Sequence, residues 1–220
     1  MSIRGVIFDM DGTLTTLYFD FAAIKAEANI GDADLLDYLS TARGAERERI
    51  HNVIVKYEKI AAARTKLNRG ARSVLRGLRA RGLPTALLTR NSRRSVGLVC
   101  RRLKLSFDVA MTREDGPYKP APEPIRDIAR RWGAKPSELL MVGDYKWDIL
   151  CAKNAGARGV ALLARDAALP EWAHDAEFVI HRLTEVLEIV DGEFVAATRC
   201  RPYPRRLVGL GFRGGTRSRE

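Results

Sequence analysis

The sequence has few cysteines, no long hydrophobic run and no low-complexity tract. Its three cysteines are odd in number and far apart, and none lies in a CxxC or Cys/His pattern. This spacing excludes a disulfide framework and a zinc site as the basis of the fold, and isolated thiols are typical of a reducing compartment. No stretch approaches the length of a membrane span or a signal-peptide core. We therefore expect a soluble, cytoplasmic protein.

Charge is distributed unevenly along the chain. The 220 residues are 46% hydrophobic and 30% charged, a composition typical of a globular protein large enough to bury a core. About half of the net charge of +11 lies in residues 199–220, which contain seven arginines and one glutamate. The same segment contains two prolines and four glycines after position 208. We expect residues 196–220 to form a basic, flexible C-terminal tail.

Short aliphatic runs alternate with amphipathic stretches along most of the chain. Strands are predicted over residues 5–8, 85–88, 109–111, 139–142, 160–163 and 178–180. Helices are predicted over residues 71–81, 95–103, 123–132, 147–155 and 183–190. The alternation predicts βαβ units, and hence an α/β fold with a parallel sheet flanked by helices.

The alternation is interrupted once, between the first strand and residue 85. This interval contains no convincing strand, but residues 35–39 and 46–67 show helical periodicity. We therefore predict a helical insert over residues 17–69. Its nine basic and eight acidic residues nearly balance, so its charge does not indicate what it contacts.

Two carboxylates follow the first predicted strand. Asp9 directly continues the apolar run at residues 6–8, and Asp11 precedes the turn residue Gly12. Positions i and i+2 of an extended chain face the same side, so the two carboxylates should project into one site. A solvated Asp-Gly turn explains Asp11 but not Asp9, because Asp9 extends a buried strand. Ligands of open α/β sheets bind at the carboxyl ends of the strands, which favours a functional site here.

Three other strand ends carry polar groups. Thr89-Arg90-Asn91 follows the second strand, where a hydroxyl and exposed N–H groups are typical of both a helix cap and a phosphate cradle. Lys119 lies in a loop that three prolines stiffen, which fixes the direction of its ammonium group. Asp144 follows the fourth strand, and Asp148 lies one helical turn later. Capping or solvation explains each feature singly, and their ordered conjunction favours a site.

This ordered set resembles the motifs of the haloacid dehalogenase-like (HAD) hydrolase superfamily. The DxDGT stretch at Asp9, a threonine at Thr89, a lysine at Lys119 and the GDxxxD stretch at Asp144 carry the resemblance, which covers residues 3 to about 190. Within the superfamily, the chain is similar to the subgroup of phosphoglycolate phosphatase and β-phosphoglucomutase. The resemblance implies a Rossmann-like core over residues 1–16 and 70–195, with a short helical cap over residues 17–69.

The resemblance also implies an activity: Mg²⁺-dependent hydrolysis of the phosphate monoester of a small metabolite, through an aspartyl-phosphate. Asp9 would be the nucleophile and Asp11 the general acid and base. The implied phosphate-binding residues are Thr89, Arg90, Asn91 and Lys119. The implied Mg²⁺ ligands are the Asp9 carboxylate, the Asp11 main-chain carbonyl and Asp144, with Asp148 acting through water or supporting the ligands.

Two alternatives to a phosphatase remain open. One is a phosphomutase of the same subgroup, although the short insert favours hydrolysis. The other is a non-catalytic HAD-like scaffold that binds nucleic acid through the basic tail. Carbon–halogen cleavage is disfavoured, because a halide leaving group needs no proton from Asp11. The substrate is not indicated, and both a monomer and a homodimer fit the sequence.

Overall fold

A computed structural model describes residues 2–194 of the chain, and over this range six parallel strands form one sheet. The strands are β1 Gly5–Phe8, β2 Thr85–Leu88, β3 Val109–Met111, β4 Leu139–Gly143, β5 Arg158–Leu162 and β6 Phe178–Ile180. Their order is β3-β2-β1-β4-β5-β6, so the direction of winding reverses between β1 and β4. This Rossmann-like order confirms the predicted α/β fold. The predicted tail and Cys200 lie outside the described residues.

Helices connect the strands. They are α1 Phe21–Ala28, α2 Leu35–Thr41, α3 Gly44–Arg64, α4 Ala71–Ala80, α5 Arg93–Leu103, α6 Glu123–Arg131, α7 Lys146–Ala155 and α8 Glu185–Asp191. Two 3₁₀ helices lie at Pro136–Glu138 and Glu171–Asp175. Among residues 2–194, no helix is both long and apolar enough to cross a membrane.

Both faces of the sheet are covered, which is why its strands are almost continuously apolar. Val6 and Phe8 of β1 pack in the apolar cluster that includes residues of α4, α5 and α8. Ile7 points to the other face and packs with residues of α6 and α7. All three are fully buried, and complete burial of a side chain of this size contributes about 1.5–3 kcal/mol. The sheet is thus a rigid base for groups at its carboxyl edge.

Helices α1, α2 and α3 pack around an apolar cluster of their own, which includes Ile24, Leu36 and Ile54. The insert was predicted as helical, but α1 was missed. Only Ile24 and Ala28 of α1 are buried, so its amphipathic pattern is weak. The Asp20 carboxylate begins the helix by accepting a hydrogen bond from the Ala23 N–H at 3.0 Å.

Several predicted boundaries differ from the observed ones by up to three residues, and two of these differences have a clear cause. Helix α5 begins at Arg93 rather than at residue 95, because the Ser92 hydroxyl caps it by accepting from the Ser95 N–H at 3.2 Å. Strand β5 begins at Arg158 rather than at residue 160, because Arg158 pairs with Leu140 of β4. A local capping contact in α5, and pairing with the neighbouring strand in β5, rather than apolar periodicity determine where each element begins.

Candidate active site at the carboxyl edge of the sheet

Asp9 lies at the end of the central strand, at the point where the sheet reverses its winding. Its N–H donates to the Val142 carbonyl at 2.9 Å, so the β1–β4 ladder still holds its backbone. The chain then turns sharply: the Thr15 N–H donates back to the Met10 carbonyl at 2.8 Å. The Asn68 amide supports this turn by donating to the Gly12 carbonyl at 2.8 Å. The strand ladder thus fixes the backbone of Asp9, and the hydrogen bonds of the turn fix the loop that contains Asp11.

Gly12 is required by the packing of this turn. Its φ of +89° favours glycine, and a Cβ built on it would lie 2.0 Å from Asp144 Oδ2. The loop after β1 therefore lies directly against the carboxylate that follows β4. Thr13 joins the same two loops, because its hydroxyl donates to Asp144 Oδ1 at 2.6 Å.

Lys119 connects two of the buried carboxylates. Its Nζ donates to Asp9 Oδ1 and, at 2.6 Å, to Asp148 Oδ1. The Tyr145 N–H holds the other oxygen of Asp148 at 3.1 Å. Lys119 and Asp148 are only 3% and 1% exposed, so this ionic contact is shielded from water. Burial alone would lower the pKa of Lys119, but the charges of Asp148 and Asp9 raise it overall.

The carboxylates of the cavity lie close enough to repel one another. One carboxylate oxygen from each of Asp9, Asp144 and Asp148 lies within 4.8 Å of the other two. Burial, followed by the charge of Asp9, raises the pKa of Asp144 to about 7 and that of Asp11 to about 7. Burial also raises the pKa of Asp148 to about 6, against the attraction of Lys119. This cluster holds more negative charge than one lysine balances.

The segment after β2 brings a hydroxyl and an amide to the same place. The Thr89 N–H donates to the Met111 carbonyl at 3.0 Å, and the Thr89 hydroxyl accepts from the Asn91 N–H at 3.2 Å. The Asn91 side-chain amide in turn donates to Asp11 Oδ2. Thr89, Asn91 and Asp11 line one cavity, together with Asp9 and Lys119.

Arg90 lines the same cavity, but its guanidinium already has a partner. Two of its nitrogens contact the two oxygens of Asp34, at 2.6 and 3.0 Å, in a bidentate ion pair. Asp34 caps the start of α2, so this pair connects the helical insert to the sheet. Burial alone would raise the pKa of Asp34, but its contacts with Arg90 lower it overall. The rings of Tyr118 and Trp147 lie 5.2 and 5.6 Å from the guanidinium carbon.

The cavity has a volume of about 400 Å³, within the range of small-molecule sites. The structure places all eight predicted site residues around it: Asp9, Asp11, Thr89, Arg90, Asn91, Lys119, Asp144 and Asp148. Buried carboxylates, a buried lysine and a hydroxyl in one such cavity suit nucleophilic and acid–base chemistry on an anionic ligand.

Comparison with known families agrees with the chemistry that this site suits. A family model for haloacid dehalogenase-like hydrolases matches residues 3–156. The chain belongs to this family. A haloacid dehalogenase-like hydrolase domain-containing protein of Arabidopsis thaliana is 35% identical over 169 residues, which cover 70% of this chain and 69% of the relative. A putative pyrophosphatase PpaX of Caldanaerobacter subterraneus is 30% identical over 214 residues, covering 87% and 96% of the two chains.

Solved structures agree with this assignment. A hydrolase from Pseudomonas syringae has a TM-score of 0.72 at 26% identity and covers 86% of this chain and 98% of its own. A predicted phosphoglycolate phosphatase from Haemophilus somnus (TM-score 0.66, 20% identity, coverage 85% and 97%) shares the fold. So does a putative β-phosphoglucomutase from Thermotoga maritima (0.64, 21%, 87% and 100%). These findings confirm the predicted HAD assignment, and the chain is a hydrolase.

The sequence did not indicate the residues that join the insert of this HAD hydrolase to its sheet. Glu58 of α3 is 4% exposed and accepts hydrogen bonds from the Ser92 N–H at 3.1 Å and from the Ser92 hydroxyl at 2.5 Å. It also pairs with Arg113, which follows β3. In the sequence Glu58 is one more charged residue of an amphipathic helix, and only the folded contact distinguishes it.

We expect Glu58→Gln to destabilise this HAD hydrolase by about 2–4 kcal/mol, because it leaves the charge of Arg113 unpaired beneath the insert. The substitution keeps the shape and one acceptor oxygen of the side chain. Urea denaturation measures the loss of unfolding free energy. Glu27→Gln is the matched control: Glu27 pairs with Lys56 at the surface of the same insert, and its loss should leave the urea midpoint unchanged. Equal effects of the two substitutions would contradict a structural role for the Glu58 contacts.

Proposed function

We propose that this HAD hydrolase is a Mg²⁺-dependent phosphatase that hydrolyses the phosphate monoester of a small metabolite through an aspartyl-phosphate on Asp9. The observation that carries the proposal is the convergence on one cavity of Asp9 and Asp11 after β1, Thr89 after β2 and Lys119 in the loop between β3 and α6. A nucleophile, a proton donor and two anion-binding groups within one cavity are what phosphoryl transfer requires.

Asp9 is the proposed nucleophile. Its carboxylate lies at the end of a fully buried strand, and the hydrogen bond from Lys119 fixes its orientation. Attack by a carboxylate oxygen on phosphorus releases the alcohol and forms an aspartyl-phosphate. Water then attacks phosphorus and releases inorganic phosphate, which restores Asp9.

Asp11 is the proposed acid and base. The Asn91 amide holds its carboxyl group, and Asp11 lines the cavity beside Asp9. It would protonate the departing ester oxygen and then take a proton from the attacking water. Thr89 and Asn91 would donate hydrogen bonds to the phosphoryl oxygens, and Lys119 would offset their charge. Arg90 remains a predicted substrate-binding residue, although its guanidinium already forms a bidentate ion pair with Asp34.

The residues present fit a divalent metal ion. Three carboxylate oxygens lie within 4.8 Å of one another, and a single lysine leaves their charge only partly balanced. Mg²⁺ prefers carboxylate, carbonyl and water oxygens. We assign the Asp9 carboxylate, the Asp11 main-chain carbonyl and Asp144 as ligands, with Asp148 supporting them. When bound, the ion would neutralise the repulsion between these carboxylates and a phosphate dianion.

The assay is release of p-nitrophenol from p-nitrophenyl phosphate with Mg²⁺, with EDTA, and with EDTA followed by excess Mg²⁺. We expect activity in the first and third conditions and at most about 1% of it in the second. Activity that is indifferent to EDTA would contradict the metal assignment. The absence of hydrolysis of any phosphate ester with Mg²⁺ would contradict the phosphatase proposal.

We also propose the division into two domains that the sequence predicted. Residues 1–16 and 70–195 form the catalytic core, and residues 17–69 form a cap over the site. This division is supported by two observations: α1, α2 and α3 have their own apolar cluster, and they supply one wall of the cavity. The ion pair between Asp34 and Arg90 and the contacts of Glu58 would hold the cap on the core.

The basic tail is expected to be dispensable for chemistry. Truncation after Ala197 should change kcat/KM by less than about threefold, which is under 1 kcal/mol. Binding to single-stranded DNA should weaken on truncation, and in the full chain it should fall steeply with added salt. A large loss of activity in a truncated chain that still folds would place the tail in the active site. Activity assays and DNA titrations at two salt concentrations measure both effects.

A further inference from the structure

The strand ends supply most of the polar lining of the cavity, and the insert supplies most of its apolar lining. Seven apolar residues of the insert line it: Leu17, Phe19, Phe21, Ile24, Leu35, Leu36 and Ile54. The rings of Phe19 and Phe21 stack, with centroids 5.7 Å apart and planes at 26°. Leu17 and Phe21 are 52% and 50% exposed, and both line the cavity. Apolar surface left exposed beside a polar site is typical of a ligand contact.

Most of the cationic side chains of the cavity are already paired with carboxylates. Among the described residues that line it, four are lysine or arginine. Lys119 contacts Asp9 and Asp148, and Arg90 contacts Asp34, while the buried Nε of Arg90 has no hydrogen-bond partner among the described residues. The other two are Arg113, which pairs with Glu58, and Lys25, which donates to the Asp32 carbonyl at 2.9 Å.

The charge balance of the lining points the same way. Six carboxylates line the cavity against these four cations: Asp9, Asp11, Asp34, Glu58, Asp144 and Asp148. Binding one phosphoryl group would use Lys119 and the proposed metal ion. A second anionic group on the substrate would then face an excess of carboxylates, and both arginines of the lining already form ion pairs with two of them, which is unfavourable. A hydroxyl-rich sugar would place its polar groups against an apolar wall without hydrogen-bond partners.

We infer that the substrate is the phosphate monoester of an uncharged alcohol with an apolar, ring-sized body, rather than a pyrophosphate, a phosphorylated carboxylic acid or a sugar phosphate. This inference rests on the proposed phosphatase activity. The phosphate lies at the strand ends, and the alcohol portion contacts the apolar wall of the insert. The stacked phenylalanines and a volume of about 400 Å³ suit a single ring.

The first test compares benzyl phosphate with 2-phosphoglycolate, glucose 6-phosphate and pyrophosphate. The first three are esters of primary alcohols, so leaving-group reactivity does not decide the comparison. We expect kcat/KM for benzyl phosphate to exceed each of the others by at least about tenfold. Equal or higher kcat/KM for any of them overturns the inference, as does interconversion of glucose phosphates without net hydrolysis. If p-nitrophenyl phosphate and all four compounds are inert with Mg²⁺, the phosphatase proposal itself fails.

Two substitutions test the apolar wall and the paired arginine separately. Phe21→Ser should lower the benzyl phosphate to glucose 6-phosphate ratio of kcat/KM by at least about fivefold, because it removes an apolar contact. Leu98→Ser is the matched control: Leu98 is 37% exposed on α5, outside the cavity, and its loss should leave the ratio unchanged. Equal changes in both variants would overturn the role of the wall.

Asp34→Asn frees Arg90 without removing the cap of α2, because asparagine caps helices as well as aspartate does. The ratio of kcat/KM for 2-phosphoglycolate to that for benzyl phosphate should rise by at least about fivefold, since the freed guanidinium can bind a second carboxylate. An unchanged ratio, in a variant that folds normally, would show that pairing of the cation does not exclude charged leaving groups, and would overturn that part of the inference.

Discussion

Replacing Asp9 by asparagine should lower kcat for phosphate ester hydrolysis by at least about a thousandfold, a loss of about 4 kcal/mol of transition-state stabilisation. An amide is a poor nucleophile and cannot form the acyl phosphate, although it has nearly the shape of a carboxylate. Lys119 keeps its contact with Asp148 in this variant, so the melting temperature should stay within about 3 °C of the wild-type value.

Asp127→Asn is the matched control for this substitution. Asp127 lies on α6 and forms an exposed ion pair with Arg130, one turn away and outside the cavity. The same chemical change there should leave kcat unchanged. Steady-state phosphate release and thermal unfolding of both variants distinguish a lost nucleophile from a damaged fold. Retention of more than about a tenth of kcat by Asp9→Asn would contradict covalent catalysis through this residue.

The Asp11→Asn variant should lose activity to an extent that depends on the leaving group. With an alkyl phosphate, kcat should fall at least about a hundredfold, because the departing alkoxide needs a proton. With p-nitrophenyl phosphate, formation of the phosphoenzyme should be largely spared, because p-nitrophenolate departs without one. Its hydrolysis still lacks a base to activate water, so a burst of p-nitrophenol should precede a slow steady state. Equal losses with both substrates and no burst would rule out an acid role for Asp11.

The convergence of the candidate site could be predicted from the sequence because of one geometric rule. The carboxyl ends of parallel strands share an edge, so polar residues that directly follow apolar runs must meet there. Asp9, Thr89 and Asp144 each follow such a run, and the structure places them around one cavity. Lys119 follows no strand directly, and the proline-rich loop around it was the signal that its position is fixed.

The contacts between the insert and the sheet could not be predicted in the same way. Asp34 has the sequence pattern of a helix cap, and it is one, but its ion pair with Arg90 depends on how the insert lies on the sheet. Glu58 and Arg113 lie on a helix and a loop far apart in the chain. No periodicity relates such positions, because their contact follows from tertiary packing rather than from local structure. Helix α1 was missed for a related reason, since only Ile24 and Ala28 of it are buried.

Detection of a phosphoryl group on Asp9 tests the central claim most directly. Asp11→Asn is mixed with p-nitrophenyl phosphate and Mg²⁺, quenched in acid during the burst, and analysed by intact mass and peptide mapping. We expect one added phosphoryl group per chain, on the peptide that contains Asp9, removable by hydroxylamine as an acyl phosphate is. The Asp9→Asn, Asp11→Asn double variant should show none. A phosphoryl group on another residue, or a burst of p-nitrophenol without any phosphoenzyme, would contradict nucleophilic catalysis by Asp9.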